Sequence, residues 1–147
     1  DTLHPRVFTL DPPGDGSLWL GRAALATGDV KTARDAFRRY WDRPGGAAAR
    51  VRARSVLAPG PAAAPADLYL QGRRFWFAGL WDEAFDAFAR ARDGGHQSPD
   101  LDCFAAVRAE LDGNRDAALA AYRAVVEKAP RHRLALLRLR ALTPAKK

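Results

Sequence analysis

The stretch Asp67–Arg92, DLYLQGRRFWFAGLWDEAFDAFARAR, constrains the fold more than any other part of the chain. It carries two amphipathic helical patterns on either side of Phe77-Ala78-Gly79-Leu80, a connection too short to hold anything but a turn. Two helices joined that closely must lie antiparallel and in contact. In the first, Leu68, Gly72 and Phe75 recur at i, i+4, i+7, and in the second Ala84, Phe88 and Ala91 do the same. Gly72 and Ala84 stand where bulky side chains are normal on a buried face, so the helices are expected to approach closely there, small residue against large.

The order of these residues resembles the tetratricopeptide repeat: a large apolar residue (Leu68), a small one (Gly72), an aromatic (Phe75), a turn glycine (Gly79), then Ala84-x3-Phe88. Gln71 replaces the usual Leu, and His96 stands in place of the closing Pro, with Pro99 three residues late. The pattern recurs twice. Upstream, Leu20-Gly21, Gly28 and Ala33-x3-Phe37 fill the same positions with Pro44 as the close, while Ala24 replaces the aromatic and Trp19 is out of phase. Downstream, Ala106, Gly113, Ala118-x3-Tyr122 and Pro130 give the best-matched second helix. The resemblance implies an all-α, right-handed superhelical stack of three hairpins that binds another protein.

Spacing divides the chain further. Gly79 to Gly113 is 34 residues, the period of this repeat, but Gly28 to Gly79 is 51, so 17 residues are inserted after the first hairpin. Ala47–Leu57 has helical propensity and is expected as an extra short helix, with a Pro/Ala connector after it. The expected organisation is therefore an extended lead-in (1–16, with Phe8 and Leu10 docking on the first helices), hairpin 1 (17–44), the inserted helix and connector (45–65), hairpin 2 (66–97), hairpin 3 (98–130), and a capping helix with a basic tail (131–147). Ser17, Asp29 and Ser98 are placed to cap helices, and Asp67, Asp82, Asp100 and Asp116 to complement helix starts.

Composition narrows the function classes. The single Cys103 excludes an internal disulfide and suits either a reducing cytosol or a disulfide-free periplasm. No apolar run approaches the roughly 20 residues of a membrane span. The chain begins at Asp1 and holds no Met, as expected where the natural start has been removed together with any signal or anchor. Abundant Arg and Ala point to a GC-rich bacterial coding bias. His4, His96 and His132 lie in separate units without metal-ligand spacing, and no phosphate loop or nucleophile elbow is present, so the reading is non-catalytic with no cofactor or metal.

In tetratricopeptide arrays the first helices of successive hairpins line a concave groove. That register implies a partner site at Arg22, Tyr69, Arg73, Trp76, Val107 and Glu110, with Leu18 and Cys103 at neighbouring inward positions. Core packing is the competing reading for Tyr69 and Trp76. Two other functions stay open. Of the net charge of +7, +6 lies in residues 131–147 (Arg131, Arg133, Arg138, Arg140, Lys146, Lys147), and Arg50, Arg52 and Arg54 form a second basic run. Both are candidates for nucleic acid or another acidic polymer, although neither interleaves aromatics for base stacking. Leu134 and Leu137, with no fourth hairpin to cover them, are candidates for self-association.

Overall fold

The computed structural model describes residues 16–61 and 64–143. The expected lead-in up to residue 15, with Phe8 and Leu10, and the terminal Lys146 and Lys147 lie outside the described residues. Among those described, the secondary structure is helical throughout: α1 (Ser17–Ala26), α2 (Val30–Trp41), α3 (Gly46–Leu57), α4 (Pro65–Phe77), α5 (Trp81–Asp93), α6 (Pro99–Leu111), α7 (Arg115–Lys128) and α8 (Arg133–Leu142). Helices α1–α2, α4–α5 and α6–α7 pair as hairpins, α3 falls in the inserted stretch, and α8 follows the third hairpin.

All three hairpins turn by the same backbone device. Gly28, Gly79 and Gly113 take left-handed φ of 84°, 77° and 89°. The next residue's N–H then reaches back across the turn, as in Leu80 to the Phe75 carbonyl at 2.9 Å, while the glycine N–H bonds a nearer carbonyl. Helix-end carbonyls are thereby satisfied and the chain reverses at once. Asp29 caps α2 by accepting from the Thr32 N–H at 3.1 Å, and the Ser98 hydroxyl caps α6 by accepting from Asp100 and Leu101, with Pro99 at the first helical position. At α1 the cap position is Gly16 rather than Ser17, which is instead buried in the first turn.

Inside the first two hairpins a small residue meets an aromatic ring. A Cβ at Gly72 would sit 2.5 Å from the Phe88 ring, and one at Gly21 would sit 2.5 Å from Phe37. Ala106 and Tyr122 are the corresponding buried residues of the third hairpin. Hairpins 2 and 3 join through aromatics: Phe104 stacks on Phe88 at 4.2 Å and leans on Trp76 at 4.6 Å. At one end, Asp100 ties α4, α6 and the start of α8 together. Its carboxylate accepts from the Tyr69 hydroxyl at 3.3 Å and meets His132 Nε2 at 2.6 Å, while His132 Nδ1 caps α8 by accepting from the Ala135 N–H.

Hairpin 1 docks differently. Repeat arrays ordinarily place each unit against its neighbours alone, yet α2 runs across the turn ends of both following hairpins. Trp41 donates to the Ala78 carbonyl at 3.2 Å, the Phe37 ring lies against Gly79 and 5.5 Å from the Trp81 ring, and Arg34 donates to the Leu111 carbonyl at 3.3 Å. The turn of hairpin 1 then reaches α8, where Arg138 donates to the Gly28 carbonyl at 2.8 Å and the Leu137 side chain lies close against Gly28. The 17-residue insertion supplies the chain length for this docking. The inserted α3 is anchored mainly by charge: Arg50 grips Glu83 with two bonds of 2.7 Å, and Arg54 adds one of 2.8 Å.

Candidate protein interface

The residues that repeat register places in a groove do not form one open surface. Trp76 is buried, stacked on Trp81 at 3.9 Å with nearly parallel rings. Val107 is fully buried on α6, the helix that α2 touches. Glu110 is the centre of a polar knot, accepting from the Tyr122 hydroxyl at 2.9 Å and from Arg138 Nε at 2.9 Å, with a second, very close Arg138 contact. These three expected partner-binding residues are therefore internal: Trp76 lies against Trp81 and Phe104, Val107 is on the helix that α2 crosses, and Glu110 is gripped by Arg138 of α8. The same docking revises the expectation for the C-terminal helix. Leu134 is half-buried against the core, and Leu137 covers the hairpin 1 turn rather than facing solvent.

Three expected site residues remain at the surface or its edge. Arg22 is exposed on α1, its guanidinium 5.8 Å from the ring of Trp19. Tyr69 is half-buried between His96, on which it stacks at 4.7 Å, and Asp100. Arg73 is exposed one turn further along α4 and lies between two rings, 5.9 Å from Tyr69 and 5.8 Å from Phe77. The structure brings Tyr69 and Arg73 together and leaves Arg22 on another helix.

Register reasoning passed over the apolar members of this surface. Phe77 is 61% exposed and Leu70 47%, values that mark them as uncovered on a helix whose other face is core. Their i, i+7 spacing with Arg73 between them is the available signal, since it repeats the helical period of Leu68 and Phe75 two positions on. On α1, Trp19 and Leu20 are each 44% exposed, and Trp19 carries Arg22 as Phe77 carries Arg73. Exposed aromatics with adjacent Arg are the usual anchors of protein interfaces.

The basic run of α3 is largely committed elsewhere. Burial pushes the Glu83 carboxyl up, but the bonds from Arg50 and Arg54 outweigh it and hold the group at about 2. Arg50 reaches Asp82 as well, at 3.7 Å, so of the three arginines only Arg52 has no carboxylate partner among the described residues. A cleft of about 740 Å³ beside this helix balances Arg50, Arg54 and Arg90 against Asp82, Glu83 and Asp86. It offers no net charge to a polyanion. Cys103 is buried and its thiol is pushed up to about 12, by burial first and then by Asp100 and Asp102, which removes it from thiolate chemistry near neutral pH. Among the described residues no group of three or more His, Cys, Asp or Glu could hold a metal ion, and no helix is long and apolar enough to cross a membrane.

Comparison with known proteins adds one finding. Residues 15–45 match the family model of the tetratricopeptide repeat. No curated protein and no solved structure matches the chain. The matched stretch is hairpin 1; hairpins 2 and 3 repeat its glycine turn, and hairpin 2 repeats its contact of a small residue on an aromatic ring. Every described element is helical and six of the eight helices pair as three such hairpins, an arrangement that fits a tetratricopeptide-like helical repeat.

Proposed function

We propose that the chain is a non-catalytic interaction module that holds a peptide or helix of a partner protein along the outer stripe of α4. The observation that carries this reading is the exposure of Leu70 and Phe77 around Arg73, on a helix whose opposite face is packed. Repeat proteins of this family generally serve as protein-binding scaffolds, and the stripe leaves two large apolar side chains uncovered on one face of one helix. Tyr69 and Arg73 stay in the proposed site, and Leu70 and Phe77 join it. Trp76 packs on the opposite side of α4 against Trp81 and Phe104, while Val107 and Glu110 are internal on α6 and leave the proposed site.

A photo-crosslinker tests the assignment. Replacing Phe77 with benzoylphenylalanine in the full chain should give a discrete crosslinked protein from cells of the source organism. The same replacement at Arg123, exposed on α7, should not. Identical crosslinking from both positions, or none from position 77, would refute the placement of the interface on α4.

A further inference from the structure

We infer that the segment bound on α4 is acidic, carrying a carboxylate between two bulky apolar side chains; this rests on the α4 interface proposed above. Charges on the helices that open each hairpin and on α8 are unevenly balanced. Helices α1, α4, α6 and α8 carry the carboxylates Asp67, Asp100, Asp102 and Glu110 and no others. The last three are already engaged: Asp100 by His132 and Tyr69, Asp102 by Arg92 and Lys128, and Glu110 by Arg138 and Tyr122. Arg22 and Arg73, by contrast, have no carboxylate within ion-pairing distance among the described residues, and each stands beside an exposed aromatic ring instead.

An Arg held between two rings is partly oriented before any partner arrives, so less side-chain freedom is lost when it grips a carboxylate. Leu70 and Phe77 lie seven residues apart, about 10 Å along the helix axis, with Arg73 near the middle. A complementary segment therefore places apolar side chains at that separation and an acid between them. Asp67, one turn before Leu70, has no cation partner among the described residues and repels a second acid at that end, which fixes the carboxylate at Arg73. A nucleic acid fits less well. A phosphate backbone needs a line of cations, and the stripe offers Arg73 alone between aliphatic and aromatic groups.

The test pans a phage-displayed library of random 12-residue peptides on the full chain and on two variants, Arg73→Glu and Phe77→Ser. Both side chains are exposed, and circular dichroism with a melting curve confirms that the variants fold. Wild type should enrich peptides with Asp or Glu flanked by Leu, Ile, Phe or Trp. A synthetic consensus peptide should bind at least about tenfold more weakly to Arg73→Glu, the scale of one charge-assisted bond lost and a repulsion gained, and a Lys-for-acid version should recover binding on that variant. Enrichment of apolar peptides without acids, sensitive to Phe77→Ser but indifferent to Arg73→Glu, would overturn the acidic inference while leaving the interface in place. Peptides indifferent to both substitutions, or no enrichment at all, would overturn the interface too. Displacement of the consensus peptide by a 12-nucleotide single-stranded DNA at equal concentration would assign the surface to nucleic acid instead.

Discussion

Removing Arg138 should loosen hairpin 1 far from where most of its residues pack. Its guanidinium bonds both oxygens of Glu110 and donates to the Gly28 carbonyl at 2.8 Å, joining α8, hairpin 3 and the turn of hairpin 1 through one side chain. The two side chains are 13% and 14% exposed, so the pair is treated as nearly buried rather than as a surface bridge. Breaking a buried pair from one side costs about 3–5 kcal/mol. Here Tyr122 still donates to Glu110 and water can enter from the remaining exposed edge, so Arg138→Ala should cost about 2–3 kcal/mol. Replacing both partners, Arg138→Met with Glu110→Gln, removes the stranded charge and should recover more than half of that loss. Urea unfolding followed by tryptophan fluorescence gives the totals, and hydrogen exchange gives the location. Protection should fall first around Gly28 and the start of α2, with α5 least affected. A loss under about 0.5 kcal/mol, or an equal drop in protection everywhere, would refute the view that Arg138 holds hairpin 1 in place.

Two further substitutions probe the hairpin contact and the α3 latch. Gly72→Ala gains about 1 kcal/mol of helix propensity, but its Cβ would lie 2.5 Å from a Phe88 ring that Phe104 holds by stacking at 4.2 Å. Overpacking of about 1–3 kcal/mol should win, giving a lower melting temperature, and a stabilised variant would show that the ring yields. For the latch, the folded carboxyl of Glu83 sits at about 2, well below its unfolded value. Its contribution is therefore present above the unfolded carboxylate pKa of about 4.3 and is lost as pH falls toward 2. Stability measured from pH 6 to pH 2 should fall less steeply in Glu83→Gln than in the parent, and parallel curves would count against the latch.

Local structure was legible because it is written at short range. Turn glycines at Gly28, Gly79 and Gly113, the caps Asp29 and Ser98, and the contacts of Gly72 on Phe88 and Gly21 on Phe37 all follow from residues that lie within one hairpin. The site was less legible because exposure depends on what another unit covers. Val107 holds a groove position by register, but no local pattern states that hairpin 1 crosses the turn end of the hairpin that carries it, and Trp76 is covered by Phe104 of the next hairpin. Leu137 shows the same limit. It had no visible partner in sequence, and its partner is a glycine more than a hundred residues earlier.

Hairpin 1 also bears on why the proposed surface lies on α4. Its second helix takes Phe37 to Trp81 and Arg34 to Leu111, so the inward residues of hairpin 3 are used in cis. Its connection to hairpin 2 passes through α3, which reaches α5 with arginines on Glu83 and leaves Val51 and Val56 exposed. On α4, Arg74 donates to the Leu57 carbonyl and Gln71 to that of Gly60, each at 3.5 Å, so the insertion meets one flank of that helix. The adjacent stripe of Leu70, Arg73 and Phe77 is left uncovered. On the proposed reading, a 17-residue insertion redirects a repeat array from presenting a groove across several hairpins to presenting one helix. Partner recognition on that proposed reading depends on a few residues of α4, and its strength should respond to single substitutions there more than to changes spread along the array.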